Sequence, residues 1–535
     1  MAAMLFTALS ASIGATAAAA ADLLPSLPVV AVEQARAGNI RLVAWELAGG
    51  GIEAQALDAT THAAVSGRIA LGAFEPGSDH PRMAGIQTRP AVAGLAGDGG
   101  RTSFFIAWHA GILDESGNSA GTEIVGQRIV VDPATGVADI GPLLRISRLD
   151  DDTDPSAASE ARSAPVVVAH AIENEFLVLW THWPGGKSLN DSPPATHDDL
   201  FIYGQQISAD GLPSGDNVAL DTLRAPMVNG VPLRRDTSTI FLAAAPRIAA
   251  NGYLLAWSDP AQESGDTDLA QIYGKLLPSD LAATDPGKRK GLADSSGIIE
   301  GTGRIALAPL PDATGYLVAY EDRRGKSPLG GIVLRTDGTA DGDPFVLLDR
   351  MRTGDHAFLT PRLSSVSERK LLLLHAAVGD RDISGTVAEH EATLKNGRLV
   401  RRVLDPEALA FSQFGDDFGT LSNTCPDVTL YFAKGAHAAG ILPDQSGEVV
   451  FAAVPGEARI EVIERRFEAP APPDSAPQPG GSPDANGTTG GGASAFLLPL
   501  LGLGAARRRS CRATDHQTGR VRLPRPNTRR HTCHS

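Results

Sequence analysis

Three cysteines, Cys425, Cys511 and Cys533, are all that 535 residues contain, and two of them fall in a basic tail. No disulfide framework can therefore hold the chain together, and its body must be stable through packing. Charged residues make up only 20% and aromatics 5%, and no long stretch repeats apolar residues at intervals of three and four, which excludes helical bundles. Also missing are an H-E-x-x-H pair, a Walker loop, a C-x-x-C pair and an S-x-D-x-G-x-T-W box, so the specific enzymatic signatures are absent. Positive charge is short in the body as well: the net charge is −15, although residues 507–535 alone hold nine Arg against one Asp. Such a body repels nucleic acid.

Glycine (58) and proline (37), by contrast, are plentiful, and they punctuate a repeat. "DDLFIYGQQISADG" at 198–211 is echoed by "DLAQIYGKLLPSD" at 268–280 and "EIVGQRIVVDPATG" at 123–136. Apolar runs ending in an aromatic precede these segments: "IRLVAW" (Trp45), "FFIAW" (Trp108), "FLVLW" (Trp180), "YLLAW" (Trp257) and "YLVAY" (Tyr320), with "KLLLLH" (His375) and "VTLYF" (Phe432) as weaker members. The intervals are too uneven for stacked identical turns and suit blades with variable loops.

A proline opens most units (Pro28, Pro90, Pro165, Pro246, Pro361, with Gly303 in the fifth), where a missing N–H costs little. A Gly-centred strand follows the aromatic, around Gly126, Gly204, Gly274, Gly331, Gly385 and Gly440, with Ala54 in the first unit. The expected fold is all-β: a six- or seven-bladed β-propeller of four-stranded antiparallel blades over residues 22–468. Of the eleven Trp and Tyr residues, ten lie in repeat strands and Trp183 does not, so the aromatics mark packing between blades. The pattern resembles a repeat of secreted bacterial surface proteins with propeller-type domains; the resemblance covers residues 28–445 and implies a shape and a compartment.

The chain ends carry addresses. "MAAMLFTALSASIGATAAAAAD" reads as a signal peptide over 1–21, cleaved after Ala21, though without a leading Lys or Arg. Residues 469–492 form a Pro/Gly/Ser-rich, disordered stalk. Residues 493–509 hold a short apolar helix, too short to span a bilayer comfortably, followed by Arg507, Arg508 and Arg509. Stalk, Gly490, Gly491, Gly492, apolar helix and arginines together resemble the GlyGly-CTERM sorting signals of bacterial surface proteins. That resemblance implies processing near the glycines by a rhomboid-type sorting protease and membrane attachment before it. A basic, disordered tail over 510–535 departs from the pattern.

Candidate chemistry is sparse. "GNSAG" around Ser119 matches G-x-S-x-G but lies before strand, without the strand-to-helix turn a nucleophile needs. The acidic loops 150–154, 263–268 and 416–417 lack a full ligand spacing, and calcium is the one cofactor they would suit. The residues just after the repeat aromatics, Glu46, His109, His182, Asp259, Glu321 and Asp322, form a candidate ligand-binding rim. Neighbours along a strand point to opposite faces, so the set cannot converge as a whole. The expected function is an exported cell-surface or released module that binds an extracellular polymer or protein, without a catalytic set. The alternative is a glycoside hydrolase or lyase on extracellular polymers using carboxylates on the propeller face.

Overall fold

The computed structural model describes residues 23–72, 83–113, 119–147, 160–161, 165–183, 200–223, 227–228, 231–232, 241–248, 250–258, 272–281, 290–292, 302–311, 313–322, 329–348, 356–366, 370–379, 398–404, 437–444, 446–454 and 456–466. They form antiparallel meanders. The first is β1 (Val29–Ala37), β2 (Ile40–Leu47), β3 (Ile52–Asp58) and β4 (Ile69–Leu71). The second is β5 (Met83–Ala96), β6 (Thr102–Leu113), β7 (Ser119–Asp132) and β8 (Gly136–Arg145). A two-residue strand, β9 (Glu160–Ala161), joins it to the third, β10 (Val166–His170), β11 (Glu175–Trp183), β12 (Leu200–Ser208) and β13 (Pro213–Leu223), making one nine-stranded sheet.

After a small hairpin, β14 (Met227–Val228) and β15 (Val231–Pro232), the fourth meander is β16 (Phe241–Pro246), β17 (Tyr253–Ser258), β18 (Ile272–Leu277) and β19 (Lys290–Gly291). The fifth is β20 (Thr302–Pro309), β21 (Gly315–Asp322), β22 (Leu329–Arg335) and β23 (Phe345–Leu348). Three strands are described in the sixth, β24 (His356–Val366), β25 (Lys370–Gly379) and β26 (Arg398–Leu404), and three in the seventh, β27 (His437–Ile441), β28 (Gly447–Ala453) and β29 (Ile460–Arg466).

First strands pack in succession, β1 on β5, β5 on β10, β10 on β16, β16 on β20, β20 on β24 and β24 on β27, and β27 returns to β1. The chain thus closes on itself in a β-propeller-like all-β fold. Closure uses the N-terminal segment: Leu23 bridges Ile460 at the edge of β29, with N···O distances of 3.0 Å in both directions. Glu53 anchors that segment, accepting from the Ser26 N–H (3.1 Å) and the Trp45 indole N–H (3.0 Å) and pairing with Arg68 at 3.3 Å.

Why the second strands read as unbroken apolar runs is now plain: both faces are covered. Along β2, Leu42 and Ala44 pack toward the second sheet, whereas Val43 and Trp45 pack toward the seventh. The same rule holds onward. Trp108 faces the first sheet, Trp180 the second, Trp257 the third and Tyr320 the fourth, so each repeat aromatic fills the layer behind its own sheet. All four of these tryptophans are fully buried. At 150–250 Å² per aromatic and roughly 25 cal/mol per Å², each contributes up to about 4–6 kcal/mol of transfer free energy.

The "YGQ" of the third strands has a structural cause. A Cβ on Gly126 would lie 2.6 Å from both Ile146 Cδ1 and the Phe105 ring, and one on Gly274 2.8 Å from Leu292. The glycine therefore makes room for an apolar side chain arriving from beyond the third strand. The glutamine beside it holds the irregular fourth strand: Gln127 Nε2 donates to Gly141 O (2.8 Å) next to a register shift, and Gln205 Nε2 to Gly215 O (3.1 Å) next to another.

Some details differ from the sequence reading. Pro90 and Pro361 lie inside long first strands at register shifts, where a bulge tolerates a missing donor, and Pro246 ends its strand rather than opening it. Gly440 sits in β27, a first strand, and is not a third-strand glycine. Trp183 closes β11 opposite Glu160 and so belongs to a strand. Phe432 and Gly385 lie outside the described residues; in the seventh sheet the buried aromatic of the second strand is Phe451.

Candidate functional site

Two ends of the strands can be compared. At the end where the second strands finish lie the rim candidates. Glu46 is half-buried in β2, and alternation turns it away from Trp45, into the layer between the first and second sheets. His109 follows Trp108 and points with Ala107 toward the third sheet. His182, two residues beyond Trp180, shares that residue's side and faces the second sheet; it is 2% exposed and meets the Tyr203 ring edge-on at 5.6 Å. The structure therefore turns His109 and His182 into one inter-sheet layer, the one β9 crosses by pairing with both β7 and β11.

In stacked sheets the outward face of one and the inward face of the next are two walls of one layer. Asp322 and Glu321 end β21, and nothing is described of their side chains; Asp259 lies outside the described residues, as do Ala21, Gly490–Gly492, Arg507–Arg509 and the three acidic loops. Ser119 opens strand β7, opposite Leu113. Among the described residues no group of three or more His, Cys, Asp or Glu is placed to hold a metal ion.

The opposite end carries two polar constellations that sequence reasoning missed. Between the third and fourth sheets, Glu175 Oε1 accepts from Tyr253 Oη (2.9 Å) and Gln206 Nε2 (2.8 Å), and Gln206 also donates to Ser279 O. Burial pushes the Glu175 carboxyl above its ordinary value; the bonds from Gln206 and Tyr253 oppose this and neighbouring Glu173 adds to it. Tyr253 is pushed far up, by burial first and then by the two carboxylates. His170 packs edge-on to the Tyr253 ring at 5.3 Å.

The second constellation lies at the seam between the seventh and first sheets. A cavity of about 420 Å³ is lined by Gln34, Arg36, Gly38, Arg41, Gly440 and Ile441. Arg41, 0% exposed, donates from Nη1 to Gln34 Oε1 (2.6 Å) and from Nη2 to Ile441 O (2.8 Å), and its guanidinium lies 5.8 Å from the Phe451 ring centre. Gly440 leaves space for it: a Cβ there would overlap Arg41 Nη1. Burial, with Arg36 as a second cause, lowers Arg41 to about 10.

No protein-family model and no curated protein sequence matches the chain. Among solved structures it is similar to an ulvan lyase of a new polysaccharide-lyase family (10% identity, 84% of this chain and 95% of that one, TM-score 0.43). It is also similar to a protein of unknown function from Dyadobacter fermentans (13%, 71% and 95%, TM-score 0.39) and to Trypanosoma rangeli sialidase (12%, 72% and 55%, TM-score 0.36).

Proposed function

We propose that the chain is an exported, surface-held, seven-bladed propeller that binds an extracellular polymer. The observation that carries this reading is the seam cavity, whose size falls in the range of ligand sites and whose side-chain lining is two guanidiniums, an amide and an isoleucine. Such a lining can hold a ligand, and among the described residues it offers no carboxylate or imidazole for proton transfer. The seven meanders and their closed sequence of first-strand contacts support the blade number. Export rests on the leader-like first residues, with cleavage after Ala21, and surface attachment on the stalk and sorting-like segment, trimmed by a rhomboid-type protease near Gly490–Gly492. Calcium is the ion proposed for the acidic loops.

A second reading, an enzyme acting on extracellular carbohydrate, is favoured by the adjacent glutamates. Burial and the neighbouring Glu173 carboxylate push the Glu175 carboxyl up, the direction that suits a general acid beside a second carboxylate. Incubating the purified protein with a panel of neutral and acidic polysaccharides separates the two. Retention on polymer without small products supports the binding module. Product release overturns it and makes Glu175→Gln the first mutation, and the absence of both retention and products removes both readings.

A further inference from the structure

The repeat makes one residue at the seam stand out. Four positions before each repeat aromatic, the second to fifth sheets carry Phe104, Phe176, Tyr253 and Tyr316, each buried in the layer behind its sheet. Across the ladder from these rings stand Gly94, Ala169, Pro246 and Pro309, residues with small or compact side chains that carry no charge. In the first sheet the same pair of positions is Arg41 and Arg36.

Two like charges directly across a ladder are destabilising. A buried guanidinium ordinarily demands a carboxylate. Neither arginine has an acidic partner among the described residues, and Arg41 Nε is buried without an acceptor. Phe, Tyr or Leu would fill the layer without these costs. A sequence that breaks its own local rule at one place, beside a cavity, marks function rather than packing.

We infer that the seam cavity is an oxyanion site, in which Arg36 and Arg41 take a carboxylate or sulfate group of an acidic glycan in place of the Gln34 amide oxygen. Naming the ligand class rests on the polymer-binding reading; the anion site itself does not. Alternation supports the assignment, because Gln34 and Arg36 lie on the face of β1 that Val32 presents to the seventh sheet, and Arg41 on the matching face of β2 with Val43 and Trp45. Gly38, without a side chain, leaves the cavity open beside the guanidiniums, and Gly440 admits Arg41 Nη1 to its wall. Arginine suits the task through its planar donors, which match carboxylate and sulfate oxygens in pairs.

The test uses the full-length protein and two variants. Arg36→Gln changes an exposed side chain and is expected to fold normally; Arg41→Phe installs the residue type the other layers carry. Thermal unfolding in inorganic sulfate is compared with chloride at matched ionic strength, since a ligand bound only by the folded state raises Tm. Retention is then measured on polygalacturonate, dextran sulfate and neutral dextran. Sulfate is expected to raise Tm in the wild type and to lose that excess in both variants, and retention on the preferred acidic polymer is expected to fall about tenfold or more. The two acidic polymers separate a carboxylate ligand from a sulfate one.

An undiminished sulfate effect in Arg36→Gln overturns the anion site. Equal retention of neutral and acidic polymers by all three proteins removes the acidic glycan as the ligand and leaves the polymer-binding reading standing. An Arg36-dependent sulfate effect with no polymer retained keeps the anion site and removes the polymer reading.

Discussion

Gly126 has a phenyl ring and an isoleucine methyl where its own Cβ would be, which is why the third strands carry glycine after an apolar residue. Gly126→Ala is expected to cost about 1–3 kcal/mol by overpacking, seen as a lower urea midpoint at unchanged m. The glycine was legible as a repeat mark; the reason for it was not, because Ile146 arrives from beyond the next strand. Glu175 was invisible in sequence, where it reads as an ordinary turn residue before an apolar run. Burial raises its carboxyl above the ordinary value. A folded-state value above the unfolded one adds stability below the ordinary carboxyl range, and that stability is lost as pH rises through the raised value. Relative to wild type, Glu175→Gln should therefore be most stabilising near pH 7, and the Tm difference should shrink toward pH 4. Parallel Tm curves for the two proteins would remove this account.

At the scale of strands, the second strand of each sheet is the element on which two layers depend. Trp257 fills the layer against the third sheet while Leu254 and Ala256, on the other face of the same strand, fill the layer against the fifth. Trp257→Ala is expected to cost about 3–5 kcal/mol in chemical denaturation. Trp45→Phe keeps an aromatic ring but removes the indole N–H that Glu53 accepts, and leaving a buried carboxylate one donor short should cost about 1–3 kcal/mol. These strands were legible because both faces are apolar and each run ends in an aromatic. Prolines were less so: a proline marks a first strand equally well before it, at a bulge, or at its end, and only the pairing register tells which. The rim residues illustrate the same limit, since His109 and His182 share a layer through the stacking of two sheets, which no single strand pattern contains.

For the whole molecule, closure depends on a contact between residues more than 400 positions apart. Leu23 at one end of the described chain completes the edge of β29 at the other. Removing residues 22–28 is expected to lower Tm and to speed amide exchange in β29 before the middle sheets are affected, measured by hydrogen exchange with mass spectrometry. Equal exchange in β29 with and without the segment would show that the clasp is dispensable. The amino-acid sequence by itself determined the all-β class, the repeat and the burial of its tryptophans. Those follow from period-two alternation and turn residues, which act over a few positions. Tertiary structure alone decided that the layers are shared between successive sheets and that the seventh meets the first. It also decided that Arg41 lies against Gly440 and Ile441, because the free energy of those contacts comes from surfaces that chain closure brings together, and no local pattern records the partner.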